Sequence, residues 1–311
     1  MRILITGASG LLGGRIFEYL KKNKIKIVIA SRTQKKLKNY KFKKINWDSN
    51  ENLEKLCNKI DVIINCAGYD SHKSISKSKT FKVNSQNPLN LFKAAQKAGV
   101  SFFIFLSSAQ VYKNNLVGNI TENTKTRANN FYSLSKLDAE RKLIKAKKKN
   151  TKLLILRPSN LFGYPVNKRA KCWHLLINSL IKDITMYGET TILSKQNTYR
   201  NYGSIESFCS FIFLTIKNFI YKKKKIPLTI NYCSEYNLSI TDMIKVIKER
   251  FKKFKKNTKI KIKFKNGTLK KTKKLFYRSI YSKKFKFAHD KNFIKEVDNL
   301  IFYCKSNFRS S

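Results

Sequence analysis

Acidic residues are scarce in this chain. Its 18 Asp and Glu stand against 67 Lys and Arg, a formal net charge of +49 over 311 residues. Histidine is scarcer still: His72, His174 and His289 are the only three. The six cysteines (Cys57, Cys66, Cys172, Cys209, Cys233 and Cys304) never form a CxxC pair, so structural zinc is not expected and reduced thiols are. No apolar run approaches the roughly 18 residues of a membrane span; SFFIFL at 101–106 and FIFLTI at 211–216 are core-sized. The start, MRILITG, has no basic segment followed by a long apolar stretch and a cleavage site, which points to a soluble cytoplasmic protein. No segment rich in Gly, Pro or Ser separates two halves, and no internal repeat is visible.

The excess of positive charge has two readings. Clustered lysine binds polyanions through counterion release. Here the lysines are dispersed through every segment, alongside abundant Asn and Ile, and no base-stacking aromatics accompany them in a nucleic-acid module. Solvated surface charge is therefore the expectation, and a nucleic-acid partner is not. One basic stretch, 250–288, keeps polyanion binding open as an alternative: no acid occurs between Glu249 and Asp290, and KNTKIKIKFK alternates Lys with Ile and Phe.

Strand and helix patterns alternate through the first half, as in a parallel sheet covered on both faces. Strands are expected at 3–6, 25–30, 42–46, 61–65, 101–107 and 152–156. KTFKVNSQNPLNLFKAAQKAG reads as helix, with Gly99 as its stop. Beyond Arg157-Pro158 the pattern loosens into longer helices near 171–182, 204–220 and 239–254 and short strands such as LTINYC at 228–233. The expected fold is α/β: a doubly wound Rossmann sheet over 1–160, with a smaller C-terminal substrate-binding region over 161–311 interleaved with it.

ITGASGLLGG joins the first strand to the first helix and spaces Gly7, Gly10 and Gly13 three apart. Such a turn lets the backbone approach a pyrophosphate and presents helix N-terminal amides to its charge. Ser9 and Leu11 lie within it. At the end of the second strand an acidic residue would bind the ribose hydroxyls of NAD, whereas a basic one accommodates the extra phosphate of NADP. Ser31-Arg32-Thr33 has no carboxylate, so Arg32 favours NADP(H), with NAD(H) as the alternative. FYSLSK places Tyr132 and Lys136 on one helical face, where the ammonium is expected to lower the phenol's pKa. Ser108 in SSAQVY sits at a strand's C-terminal end, where its hydroxyl can hydrogen-bond a substrate oxygen.

TGASGLLG, NCAG at 65–68, SSAQVY, YSLSK and RPSNLFG together resemble the extended short-chain dehydrogenase/reductase family of NAD(P)-dependent nucleotide-sugar epimerases, dehydratases and reductases. The resemblance implies a catalytic set of Ser108, Tyr132 and Lys136 supported by Asn84. It implies Asp48 near the adenine, Ala67 and Gly68 near the cofactor riboses, and Asn160 and Arg200 on the diphosphate of a nucleotide-sugar or a related small carbonyl substrate. It also allows a homodimer through helices on the sheet's flank. Family members usually follow that arginine with an acid and close the segment with an acidic pair; here Asn201, Glu206 and Ser207 stand there. Dehydratases carry Asp-Glu after the hydroxyl residue, where this chain has Ala109-Gln110, which disfavours dehydration. The expectation is an oxidoreductase or isomerase, a 4-keto reductase or a 4-epimerase. The alternative is a non-catalytic Rossmann scaffold that binds polyanions through the basic stretch. His72, after NCAG, is expected on the surface more than in the cleft.

Overall fold

A computed structural model describes residues 1–32, 36–37, 40–113, 116–254, 259–265, 267–287 and 289–308. Thr33, part of the basic-strand-end reading, and 256–258, which open the KNTKIKIKFK run, lie outside the described residues.

Seven parallel strands form the central sheet: β1 (Arg2–Thr6), β2 (Lys26–Ser31), β3 (Lys43–Lys44), β4 (Val62–Asn65), β5 (Phe102–Leu106), β6 (Lys152–Pro158) and β7 (Thr229–Tyr232). Their order is β3-β2-β1-β4-β5-β6-β7. This is the Rossmann arrangement the alternation predicted, with its strand order reversing beside β1. The strands read as unbroken apolar runs because both faces are buried. Ile3, Ile5, Ile64, Phe102 and Ile104 point into one core with α1 (Leu11–Lys22) and the helix Ile205–Ile220. Leu4, Ile63, Phe103 and Phe105 point into the other, against the helices Asn50–Cys57, Asn87–Lys97 and Phe131–Ala146.

Two expectations shift. The strand at 228–233, assigned to the smaller region, is β7 at the edge of the central sheet, registered Thr229↔Ile155 and Tyr232↔Pro158. Ile230 is fully buried there, so the sheet rather than the loop offers its side chain a dry surface. The helix expected at 171–182 runs Leu176–Tyr187 instead. Gly188, at φ +68°, supplies its left-handed stop, and the residues before Leu176 are drawn along the cleft described below.

The C-terminal region has its own core, built by the helices Leu176–Tyr187, Ile240–Phe254 and Phe293–Asn307 around Phe162, Tyr202 and Phe293. Within the basic stretch, Lys261–Phe264 pairs in parallel with Glu189–Ile192, and Lys263 forms an ion pair with Glu189. Ile260 and Ile262 pack on that core, so the Lys-Ile alternation follows a half-buried strand with its lysines outward.

A buried ion cluster ties the two regions together. The Arg15 guanidinium on α1 donates to Glu296 Oε1 at 2.5 Å and Oε2 at 3.1 Å, and to Glu206 Oε2 at 2.9 Å. It also stacks over the Tyr164 ring at 3.9 Å. Gly163 lets the chain pass: a Cβ there would lie 2.3 Å from Glu296 Oε1. Removing one member of a buried pair strands the other charge. Glu296→Ala is therefore expected to cost about 3–5 kcal/mol in urea unfolding; a loss below about 1 kcal/mol would show that Glu206 alone satisfies Arg15.

Candidate active site

The C-terminal strand ends open into a cleft of about 940 Å³ between the sheet and the C-terminal region. Gly7, Ser9, Gly10, Leu11 and Gly13 form one wall. Gly10, whose own amide donates to Gly7 O at 3.0 Å, starts α1 without a side-chain cap, and no acid lies in the first turn, so nothing anionic competes there for an anion. A Cβ on Gly13 would sit 2.4 Å from Gly7 O, which is why the turn closes this tightly. The uncapped amides and the glycine-only packing fit a pyrophosphate. Arg32, at the tip of β2, lines the same cleft. Gly68 lines it as well, and Ala67 lies directly beneath the turn, its amide donating to Thr6 Oγ1 at 3.3 Å. Asp48 stands apart from the cleft wall, in an exposed ion pair with Lys82 at 3.0 Å.

Ser108, Tyr132 and Lys136 all line the cleft. Ser108 Oγ accepts from the Gln110 amide at 3.2 Å, and its hydroxyl also bonds Tyr132. The helix bearing Tyr132 and Lys136 begins at an Asn130–Ser133 capping box. Lys136 is buried; its Nζ donates to Leu106 O at 2.8 Å and lies 5.1 Å from the Phe105 ring centroid. Burial holds its pKa down to about 8, opposed by Cys66 and Glu140. Tyr132 departs from expectation: its pKa is raised, not lowered. Burial is the main cause, Asp70 adds to it, and Ser108 alone opposes it. Desolvation disfavours the phenolate, and the lysine that was expected to offset this is committed to Leu106.

Asn84 lies in a one-turn π bulge, Lys82–Gln86, and is fully buried. It accepts from Tyr69 N at 2.7 Å and donates to Tyr69 O and to Ser135 Oγ. It thereby pins the loop after β4 to the helix that carries Tyr132.

Asn160 and Arg200 line the cleft too, on the paired strands Asn160–Phe162 and Tyr199–Ser204. Asn160 Nδ2 donates to Asn201 O at 3.1 Å. The three departures from the family pattern are all engaged. Asn201, 1% exposed, bonds Ser159, Ser234 and Asn237; Ser207 donates to Asp290 Oδ1 at 2.6 Å; Glu206 joins the Arg15 cluster.

The cleft wall also includes Gln110 of SSAQVY, and Tyr69, Asp70, Asn167, Arg169 and His174, which no motif marks. Asn167 Nδ2 donates to Ser9 O at 2.9 Å and straps the C-terminal region to the glycine turn. Nothing local in the sequence marks 164–177, because its partners lie across the fold. Asp70, two residues past Gly68, was the findable one. His72 is exposed and outside the wall, stacked on His174 with centroids 5.1 Å apart. Among the described residues, no group of three or more His, Cys, Asp or Glu could hold a metal, and no helix is long and apolar enough to cross a membrane.

A model of the NAD dependent epimerase/dehydratase family matches residues 3–230. The chain is 30% identical over 281 residues to a dTDP-D-glucose 4,6-dehydratase from Dictyostelium discoideum, aligning 79% of this chain with only 61% of that protein. It is 27% identical over 262 residues to a GDP-L-colitose synthase from Yersinia pseudotuberculosis, covering 79% and 81% of the two chains. The solved UDP-N-acetylglucosamine 4-epimerase from Bacillus cereus shares the fold, with a TM-score of 0.79 at 18% identity over 98% of this chain and 99% of that one.

Lys136 makes stability depend on alkaline pH in a defined sense. From about pH 8 to its ordinary 10.5, the unfolded chain keeps the proton that the folded chain has lost, so stability attributable to Lys136 rises across that window. Against a Lys136→Met variant, the wild-type unfolding free energy should gain about 2–3 kcal/mol between pH 8 and pH 10.5; equal slopes for the two proteins would refute the depressed pKa.

Proposed function

The chain belongs to the NAD dependent epimerase/dehydratase family, and from that premise we propose that it moves hydride at a carbon of a nucleotide-linked sugar, as a 4-keto reductase or a 4-epimerase. One observation carries this reading: a single cleft is lined by the glycine turn after β1, by Ser108 after β5 together with Tyr132 and Lys136, and by Asn160 after β6 together with Arg200, in the order of the strands β1-β4-β5-β6. That spacing suits a dinucleotide and a nucleotide-sugar meeting at the hydroxyl groups.

A bound nicotinamide supplies or accepts the hydride; the chain's own residues handle position and protons. Tyr132 is held protonated by burial, which suits a donor to a carbonyl oxygen that gains charge in the reductive direction. Ser108, hydrogen-bonded to Tyr132, presents its hydroxyl to the same oxygen. Lys136 holds the cofactor ribose and places positive charge behind the phenol. Ala109-Gln110 offers no carboxylate, and an amide cannot carry a proton through an elimination; this supports reduction or epimerisation over dehydration despite the dehydratase relative.

Arg32 in the cleft wall, with no carboxylate at the β2 tip, supports NADP(H). The family's own description favours NAD(H). The six free cysteines fit a reducing cytoplasm. Phe131, Leu134 and Ile144 are exposed apolar residues on the helix of Tyr132, and they support a homodimer through that flank.

Fluorescence titration with NADPH and NADH at moderate salt tests the cofactor reading. Tighter NADPH binding is expected, and Arg32→Ser should erase the preference; binding of neither cofactor would return the polyanion scaffold to the front. Tyr132→Phe should lower turnover of a keto-sugar nucleotide by about 10²–10⁴-fold while cofactor affinity stays unchanged. Loss of both would mark Tyr132 as a folding residue.

A further inference from the structure

We propose that Glu140 is a positioning residue for this site: its buried carboxylate fixes the strand end that carries Ser108 and stands as the counter-charge behind Lys136. The inference rests on the oxidoreductase reading above and adds a residue to it.

Glu140 is 2% exposed and lies one helical turn beyond Lys136 on the same face. Its two oxygens take three hydrogen bonds. Arg157 donates from Nε to Oε1 at 3.0 Å and from Nη2 to Oε2 at 2.5 Å, the bidentate geometry that makes such a pair directional. Ser107 Oγ donates to Oε1 at 2.5 Å. Ser107 separates two cleft contacts: the carbonyl of Leu106 receives Lys136 Nζ, and Ser108 presents its hydroxyl to the substrate side. A single carboxylate therefore fixes the short backbone segment on which both contacts depend. Behind it, Arg157 Nη1 donates to Tyr112 OH at 2.8 Å, Tyr112 OH donates to Asn231 Oδ1 at 2.8 Å, and Tyr277 OH donates to Arg157 O at 2.7 Å. The arginine is thus held from the far side and cannot swing away.

A buried carboxylate is costly, and an ion pair that only filled space could be replaced by apolar groups. The charge at Glu140 has a local use. The groups that act on Lys136 are Cys66, from the end of β4, and Glu140 on its own helix. Burial raises the Cys66 thiol to about 12, so it is neutral at ordinary pH. Asp70 acts on Tyr132. Glu140, ion-paired with Arg157, is then the carboxylate whose charge favours the cationic form of Lys136 against burial, with Arg157 tempering it.

The two charges should move Lys136 in opposite directions, which a purely structural role would not do. The readout is the pH dependence of NADPH and NADH affinity by fluorescence between pH 6 and 10, with thermal unfolding measured in parallel. In the wild type, affinity should fall with a midpoint near the Lys136 value of about 8. Glu140→Gln should move that midpoint down by about one pH unit, and Glu140→Asp should restore most of it. Arg157→Gln should move it up. A Glu140→Gln protein that is less stable but has an unmoved midpoint would overturn the proposal and leave the function reading intact. If Glu140→Gln does not fold, Arg157→Gln decides alone: an upward shift supports the proposal, and an unmoved or lower midpoint rejects it. A wild type that binds neither cofactor at any pH removes the oxidoreductase reading, and this proposal goes with it.

Discussion

Parallel pairing of seven strands requires that every connection cross a face of the sheet, and each crossing covers apolar surface that would otherwise meet water. From that constraint follow the two cores on either side of β1 to β7, the continuous apolar runs in β1, β4 and β5, and the convergence of all C-terminal strand ends at one edge. The glycine turn, the NCAG loop, Ser108 and the Arg157-Pro158 corner are four such ends. They line one cleft because the sheet leaves them no other side on which to emerge.

A chain with a net charge of +49 has few carboxylates, and several of them are inside. Glu140 and Glu296 each hold a buried arginine, and Asp290 accepts from Ser204 N, Ser204 Oγ and Ser207 Oγ at 2.6 Å each. Lysines occupy the surface, where their charge is solvated and screened. The scarce acids instead join segments far apart in sequence, in surroundings where a missing partner is expensive. This division of labour makes the high net charge compatible with a packed interior. It also places two of the acids, Glu140 and Asp70, where they act on Lys136 and Tyr132.

The sequence made the first half legible because its signals are local. Alternating strand and helix periods, a glycine spacing set by backbone closeness, and a Tyr-Lys pair one turn apart are all features of contiguous residues. The pKa of Tyr132 is not legible there, for the opposite reason. Spacing places Lys136 beside it, but only packing shows that the ammonium is spent on Leu106 O and that burial dominates. Sequence pattern places the helix of 176–187 five residues early, at 171–182, because the segment before Leu176 has no period of its own and the helix continues until Gly188 stops it.

By itself, the sequence determined the family, the doubly wound sheet and the glycine-turn wall of the cleft, since each is written in short runs whose spacing obeys one secondary-structure period. Tertiary structure decided the rest: β7 closing the sheet's edge, Asn167 reaching Ser9, Asn201 binding three loops, and Glu140 seated between Arg157 and Ser107. These contacts join residues that no local pattern relates. They form because a buried polar group must find its partner wherever the folded chain brings one within reach.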